Sequence, residues 1–157
     1  MKTCKIYLDS CCVSRPYDDQ TQNRIKSETA AILQIISRFW NGEWQSITSK
    51  VLQFEINQIS DLTKRFFVKS LFTSIPQTIF VSVGVSETLR GKQLEVLGFK
   101  EYDALHIACA ESGKADVLLT TDDAVIRRAK RLRSQFHVRV ENPDTWLREH
   151  TSGKGGN

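Results

Sequence analysis

Four carboxylates stand at positions where an acid needs a reason. Asp9 ends the apolar run CKIYL at residues 4–8, and Asp122 follows the apolar core of DVLLTTDD. Glu55, in SKVLQFEINQI, shares a side of its helical pattern with Leu52 and Ile59, and Asp103 heads the apolar segment of KEYDALHIACAE one turn before Ile107. Acids are rarely buried without a partner. Two carboxylates about 4 Å apart repel by roughly 1–4 kcal/mol between water-like and surface dielectrics. Acids that converge therefore take up a proton or hold a cation, and an all-oxygen ligand set favours Mg²⁺ or Mn²⁺ over softer ions. Singly, each has a plainer reading. Asp9, Asp103 and Asp122 can cap helices, and Glu55 can face solvent at the edge of an apolar stripe.

The elements that must position these acids are read from period and punctuation. CKIYL is a short buried strand. The polar stretch SRPYDDQTQ, with Pro16, Asp18 and Asp19, reads as turns. Ile25, Thr29, Ile32, Leu33, Ile36 and Trp40 recur at helical spacing, and Asn41-Gly42 ends that helix. Residues 44–48 form a second strand, and Thr48 or Ser49 caps a helix carrying Val51, Leu52, Ile56 and Ile59. A helical segment from Asp61 to about Phe72, a β-branched strand over 78–83 and helices over 86–97 and 102–112 follow. The strand 116–121, the helix 123–133, an alternating strand through Phe136, Val138 and Val140, and a terminal helix with Pro143 at its first position complete the chain. Strands alternating with helices imply right-handed crossovers and a mostly parallel sheet covered on both faces. In such sheets ligands bind beyond the carboxyl ends of the strands. If β-strands 4–8 and 116–121 are neighbours, about 5 Å apart, Asp9 and Asp122 converge on one edge.

The 157 residues, 40% hydrophobic and 25% charged, suit one soluble domain. No apolar run approaches the roughly 20 residues that span a membrane, and no signal-peptide layout opens the chain, so a cytoplasmic location is expected. The four cysteines, Cys4, Cys11, Cys12 and Cys109, include no C-x-x-C pair, and the three histidines are scattered. A zinc site is not expected from that spacing, and the thiols read as reduced and mostly buried. The net charge of +4 says less than the run Arg127, Arg128, Lys130, Arg131, Arg133. That run is either a solvated helix face or a surface for a phosphate backbone.

Several segments together resemble the PIN-domain family of VapC-like ribonucleases. They are YLDS (7–10), SKVLQFEI (49–56), DALHIACAESGKADVLLTTDD (103–123) and NPDTWL (142–147), in matching order across about residues 4–148. The block DALHIACAE…AD.LLTTD is the most specific. The opening DSCCVSRPYDDQTQ resembles a subgroup with a paired cysteine and an RPxDDQ stretch after the first Asp. The resemblance implies a three-layer α/β/α sandwich, with residues 1–150 as a single domain; TSGKGGN, 151–157, reads as a flexible tail from its composition. It assigns the four family acids to Asp9, Glu55, Asp103 and Asp122, as catalytic residues and as ligands of Mg²⁺ or Mn²⁺. Thr120 matches a supporting hydroxyl. Asp116 matches a structural Asp, and Asp123, just past the matching triplet, is a poorer candidate.

A metal-bound water with a lowered pKa can attack a phosphodiester. The expected function is thus a metal-dependent endoribonuclease, the toxin of a toxin–antitoxin pair. The alternative is a non-catalytic RNA-binding or regulatory protein on the same scaffold, since fold does not fix function. Candidate partners are an RNA substrate, an antitoxin protein and a second copy in a homodimer, with no membrane. No Ser-His-Asp order, reactive-cysteine signature or G-x-x-x-x-G-K-[ST] loop is present, and Ser-Cys after Asp9 departs from haloacid-dehalogenase-like phosphatases. His106 reads as an ordinary helix residue, and Trp40, Trp44, Phe66 and Phe67 read as packing groups. Arg15 suits a phosphate or a salt bridge to Asp18 or Asp19.

Overall fold

The computed structural model describes residues 3–155, and its centre is a sheet of five strands, all parallel. In chain order these are β1 (Cys4–Leu8), β2 (Trp44–Ser49), β3 (Ile79–Val81), β4 (Val117–Leu119) and β5 (Arg139–Glu141), arranged in space as β3-β2-β1-β4-β5. The helices are α1 (Ser10–Ser14), α2 (Asn23–Trp40), α3 (Lys50–Asn57), α4 (Leu62–Thr73), α5 (Val85–Val96), α6 (Glu101–Ser112), α7 (Asp123–Arg131) and α8 (Pro143–Gly155). Strand β1 is central because both its faces are apolar, as parallel sheets require. Successive side chains leave a strand on opposite faces, so Ile6 and Leu8 enter one core and Tyr7 the other. Val117 and Leu119 of β4 join Ile6 and Leu8, while Leu118 joins Tyr7.

The first core lies under α2 and α8, with Ile32, Ile35, Ile36, Phe39 and Trp146 buried against the sheet. The second lies under α5, α6 and α7, with Leu94, Ile107, Val125 and Ile126. Three layers result, as expected, and the sheet is wholly parallel where a mostly parallel one was anticipated. Helix α3 serves both cores, since Val51 enters one while Leu52 and Ile56 enter the other. Among the described residues no helix is long and apolar enough to cross a membrane.

Some details differ from the sequence reading. The buried stripe of α2 runs through Ile25, Glu28, Ala31, Ile32, Ile35, Ile36 and Phe39, which leaves Leu33 and Trp40 exposed at its edges. The last strand is limited to residues 139–141 because its neighbour β4 offers only three residues for pairing. Phe136 instead packs edge-on against Phe99. A short helix, α1, stands between Asp9 and the stretch read as turns, and that stretch follows as a 3-10 turn at Arg15–Tyr17 and further turns and bends to residue 22. Helix α8 continues to Gly155, so the tail expected over 151–157 lies partly within that helix, and residues 156–157 lie outside the described residues.

The RPYDDQ stretch acquires a role in this architecture. Arg15 reaches Asp18 (3.2 Å) and the buried Glu28 (2.8 Å), while Lys64 of α4 meets Asp18 at 3.0 Å. The Gln20 amide donates to the carbonyls of Arg15 and Asp18. Tyr17 stacks on Phe67 and donates to its carbonyl. The stretch is a clasp joining α1, α2 and α4, and Arg15 is a structural ion-pair partner rather than a phosphate contact.

Candidate active site

Three features of the backbone bring Asp9 and Asp122 to the carboxyl edge of the sheet. The Asp9 N–H donates to the Leu119 carbonyl (3.2 Å), prolonging the β1–β4 ladder by one residue. The Asp9 carboxylate accepts the Cys12 N–H and caps α1. Asp122 stands three residues beyond β4 and caps α7, its Oδ1 accepting the N–H groups of Ala124 (2.9 Å) and Val125 (3.3 Å). The cap reading and the site reading are therefore compatible, because a capping carboxylate uses one oxygen and keeps the other. Thr120, 1% exposed, accepts the Asp122 N–H on its hydroxyl, and its hydroxyl also supports Asp9.

Glu55 comes from α3, which starts at Ser49; the Ser49 hydroxyl caps the helix by accepting the Leu52 N–H. Its Oε1 accepts from Ser10 Oγ (3.0 Å) and is bonded to His106 Nε2. Asp103 lies in the first turn of α6, one turn ahead of His106. Asp103 has Asp122 and Glu55 as electrostatic neighbours. Burial raises the Asp103 pKa above its ordinary value, and the charges of Asp122 and Glu55 push it further the same way. Burial also holds the Asp9 carboxyl well above its usual range, and Cys11 adds to this. Burial acts likewise on Glu55, but the bond and charge of His106, aided by Ser10, outweigh it and set that pKa below the ordinary value.

His106 is the residue the sequence reading passed over. It is 4% exposed, and its Nδ1 lies 2.7 Å from the Tyr7 hydroxyl, which lies 2.6 Å from Ser49 Oγ. Ser49, Tyr7, His106 and Glu55 thus form one continuous chain of hydrogen bonds. The available signal was the Asp103–His106 spacing, which puts both on one helix face. Its partners, however, come from β1 and α3. Tyr7→Phe leaves the buried His106 Nδ1 without its partner and the Ser49 hydroxyl with only the Leu52 N–H, so it is expected to lower stability by about 1–3 kcal/mol. Urea denaturation checks this, and a loss under about 0.5 kcal/mol, the range of an ordinary surface change, would mean the chain of bonds is not formed.

The remaining candidates separate cleanly. Asp116 accepts the Lys5 N–H (2.8 Å) at the opposite, amino end of the strands and is structural. Asp123 is held by Arg24 at 2.7 and 2.8 Å. Arg24 also donates to the Thr121 carbonyl and so braces the corner that carries Asp122.

The donor set fits a hard divalent cation. Glu55 and Asp122 each have one oxygen outside the hydrogen bonds described above, and Asp103 accepts none among the described residues. The tightest set of possible ligand atoms among the described residues is nevertheless a different one: Asp9, Cys11 and Cys12, all within 4.8 Å of one another.

No protein-family model and no curated protein matches the chain. Solved structures do. A chain of VapBC2 from Rickettsia felis, determined bound to a DNA fragment from their promoter, is 13% identical with a TM-score of 0.53, over 88% of this chain and 98% of that one. PAE2754 from Pyrobaculum aerophilum is also 13% identical with a TM-score of 0.53, over 95% of this chain and 90% of that one. At this identity the shared property is the fold.

Proposed function

The chain has a PIN/VapC-like fold, and from that premise we propose that it is a divalent-metal-dependent endoribonuclease and the toxin of a toxin–antitoxin pair. What supports this reading is that Asp9 and Asp122 stand beyond the carboxyl ends of neighbouring parallel strands, that Glu55 is bonded to Ser10 beside Asp9, and that Asp122 and Glu55 lie close enough to Asp103 to raise its pKa. The four acids hold Mg²⁺ or Mn²⁺, directly or through water. The bound ion supplies an activated water and charge neutralisation at the phosphate. The chain's own residues do the rest. Thr120 supports the Asp9 and Asp122 corner, and the Ser49–Tyr7–His106 chain fixes the rotamer of Glu55. The catalytic unit is one domain, residues 1–150, in the cytoplasm, with an antitoxin and a second copy of the chain as protein partners.

The substrate is RNA, and the basic run on α7 divides into distinct roles toward it. Lys130 is taken up by Glu141 (3.2 Å), and Arg128 lies over the Phe99 ring. Arg127 and Arg131 are exposed and four residues apart, on one face of the helix that Asp122 caps. That spacing puts their Cβ atoms about 6 Å apart, so both side chains can reach phosphates of one RNA strand. The double substitution of Arg127 and Arg131 by alanine is expected to weaken RNA binding and to flatten its salt dependence by about one unit of slope per lost phosphate contact. Fluorescence anisotropy at several salt concentrations checks this, and an unchanged slope would remove α7 from the interface.

The direct test is incubation of the pure chain with RNA in Mg²⁺ or Mn²⁺, and again in excess chelator. Cleavage confined to the metal-containing reaction is expected. Salt-dependent RNA binding without cleavage at any metal concentration would replace the nuclease with a non-catalytic RNA-binding protein.

A further inference from the structure

We propose that Asp9, Cys11 and Cys12 form a second kind of metal site, for a thiophilic divalent cation such as Zn²⁺, which withdraws Asp9 from the acidic cup when filled. The three side chains offer one carboxylate oxygen and two sulfurs within 4.8 Å of one another. Tetrahedral coordination with Zn–S bonds near 2.3 Å puts two thiolates about 3.8 Å apart, which that spacing accommodates. Cys11 Sγ now donates to Asp9 Oδ1 at 2.8 Å, and Cys12 Sγ donates to the Leu119 carbonyl at 3.3 Å. Cys12 Sγ is thus held by the end of β4, and Cys11 Sγ by Asp9, the Thr120 hydroxyl and the Thr121 N–H just beyond the strands. Cys12 is fully buried and Asp9 is 8% exposed, while Cys11 is partly open to solvent, which gives an ion a way in.

The chemistry of the exchange balances without any electron transfer. Two S–H bonds break, two metal–sulfur bonds form and two protons leave to solvent. The carboxylate supplies a third ligand, and water or the Thr120 hydroxyl, 3.4 Å from Cys11 Sγ, supplies the fourth. Two thiolates select against Mg²⁺ and Mn²⁺, which prefer oxygen. The two ion classes thus compete for one shared residue, Asp9. The sequence spacing argued against zinc because no C-x-x-C is present. The fold supplies what spacing lacks, by placing Asp9 as the cap of the short helix that carries both cysteines.

The test uses the full chain and no RNA, so its outcome is independent of the nuclease reading. Metal-free protein is titrated with Cd²⁺ and followed by the ultraviolet sulfur-to-cadmium charge-transfer band. One equivalent is expected to bind, and Cys11→Ser and Cys12→Ala are each expected to weaken it by at least about tenfold. Cys4→Ala and Cys109→Ala should leave the band intact, as should excess Mg²⁺. A second measurement needs no variant: Zn²⁺ should slow iodoacetamide alkylation of Cys11 by at least about tenfold, read by peptide mass. A band indifferent to Cys11 and Cys12, a band erased by Mg²⁺, or Cys11 alkylation as fast with Zn²⁺ as without it would overturn the site.

Discussion

Asp9→Asn is expected to reduce RNA cleavage by at least about a hundredfold, the upper end of what losing even a supporting metal-site residue costs, while raising the melting temperature of the metal-free chain. The two effects have opposite signs because the same carboxylate is responsible for both. Asp9 is buried beside Cys11, and burial raises its pKa well above the usual value. A carboxyl whose pKa is higher folded than unfolded binds its proton more tightly in the folded state. Its contribution to stability is complete below the unfolded value near 3.9 and is lost as pH rises toward the folded one. At neutral pH without metal, the buried charge therefore opposes folding, and asparagine removes it. Asparagine also caps helices as well as aspartate does, so α1 keeps the bond from Cys12 N. Each kcal/mol relieved should raise the melting temperature by about 2–4 °C in a chain of this size. Melts in chelator at pH 5 and pH 8 should show a larger gain at the higher pH. Cleavage rates unaffected by the substitution would remove Asp9, and with it the proposed site, from the reaction.

The largest loss of stability is expected away from the acids, at Glu28. Its side chain is almost wholly buried and accepts from Arg15 Nε (2.9 Å), Arg24 Nε (3.1 Å) and Asn142 Nδ2 (2.7 Å). One carboxylate thus ties the clasp after α1, the first turns of α2 and the start of α8. Glu28→Ala leaves the mostly buried Arg15 guanidinium with Asp18 alone and the partly buried Asn142 amide N–H without its acceptor. Breaking a buried ion pair from one side costs about 3–5 kcal/mol. Arg24 is half exposed, so its share is screened and small; the cost lies with Arg15 and Asn142. Glu28→Gln keeps one acceptor and should fall between alanine and the native chain. Urea denaturation of the three proteins measures the series. An alanine variant within about 0.5 kcal/mol of the native chain, as for a surface site, would mean water fills the gap and the clasp is ornamental to folding. Because Arg24 also holds Asp123 and the Thr121 carbonyl, the alanine variant should lose activity as well as stability.

What could be read from the chain and what could not follow one physical division. CKIYL and DVLL announce themselves because parallel strands buried on both faces need unbroken apolar runs, and the acids that stop those runs inherit a position at the sheet's carboxyl edge. The Ser49 cap and Pro143 at a helix start are likewise local facts with local signatures. His106 was illegible for the opposite reason. Nothing near it distinguishes it from a helix residue, and its two partners lie 99 and 51 positions away. Glu28 reads as a polar interruption of an apolar stripe, since Asn142 stands 114 positions from it. Short α1 was missed because five residues carry no period. A cap and two buried side chains, Cys12 and Val13, hold it instead.

The outer strands of the sheet, β3 and β5, are only three residues long. A free strand margin is a template on which foreign backbone can crystallise, and proteins blunt that hazard by keeping such margins brief. Here each rim exposes too little ladder to recruit another chain, so fibril-type stacking finds no starting line. A protein that binds this chain finds only three residues of strand backbone to extend at either rim.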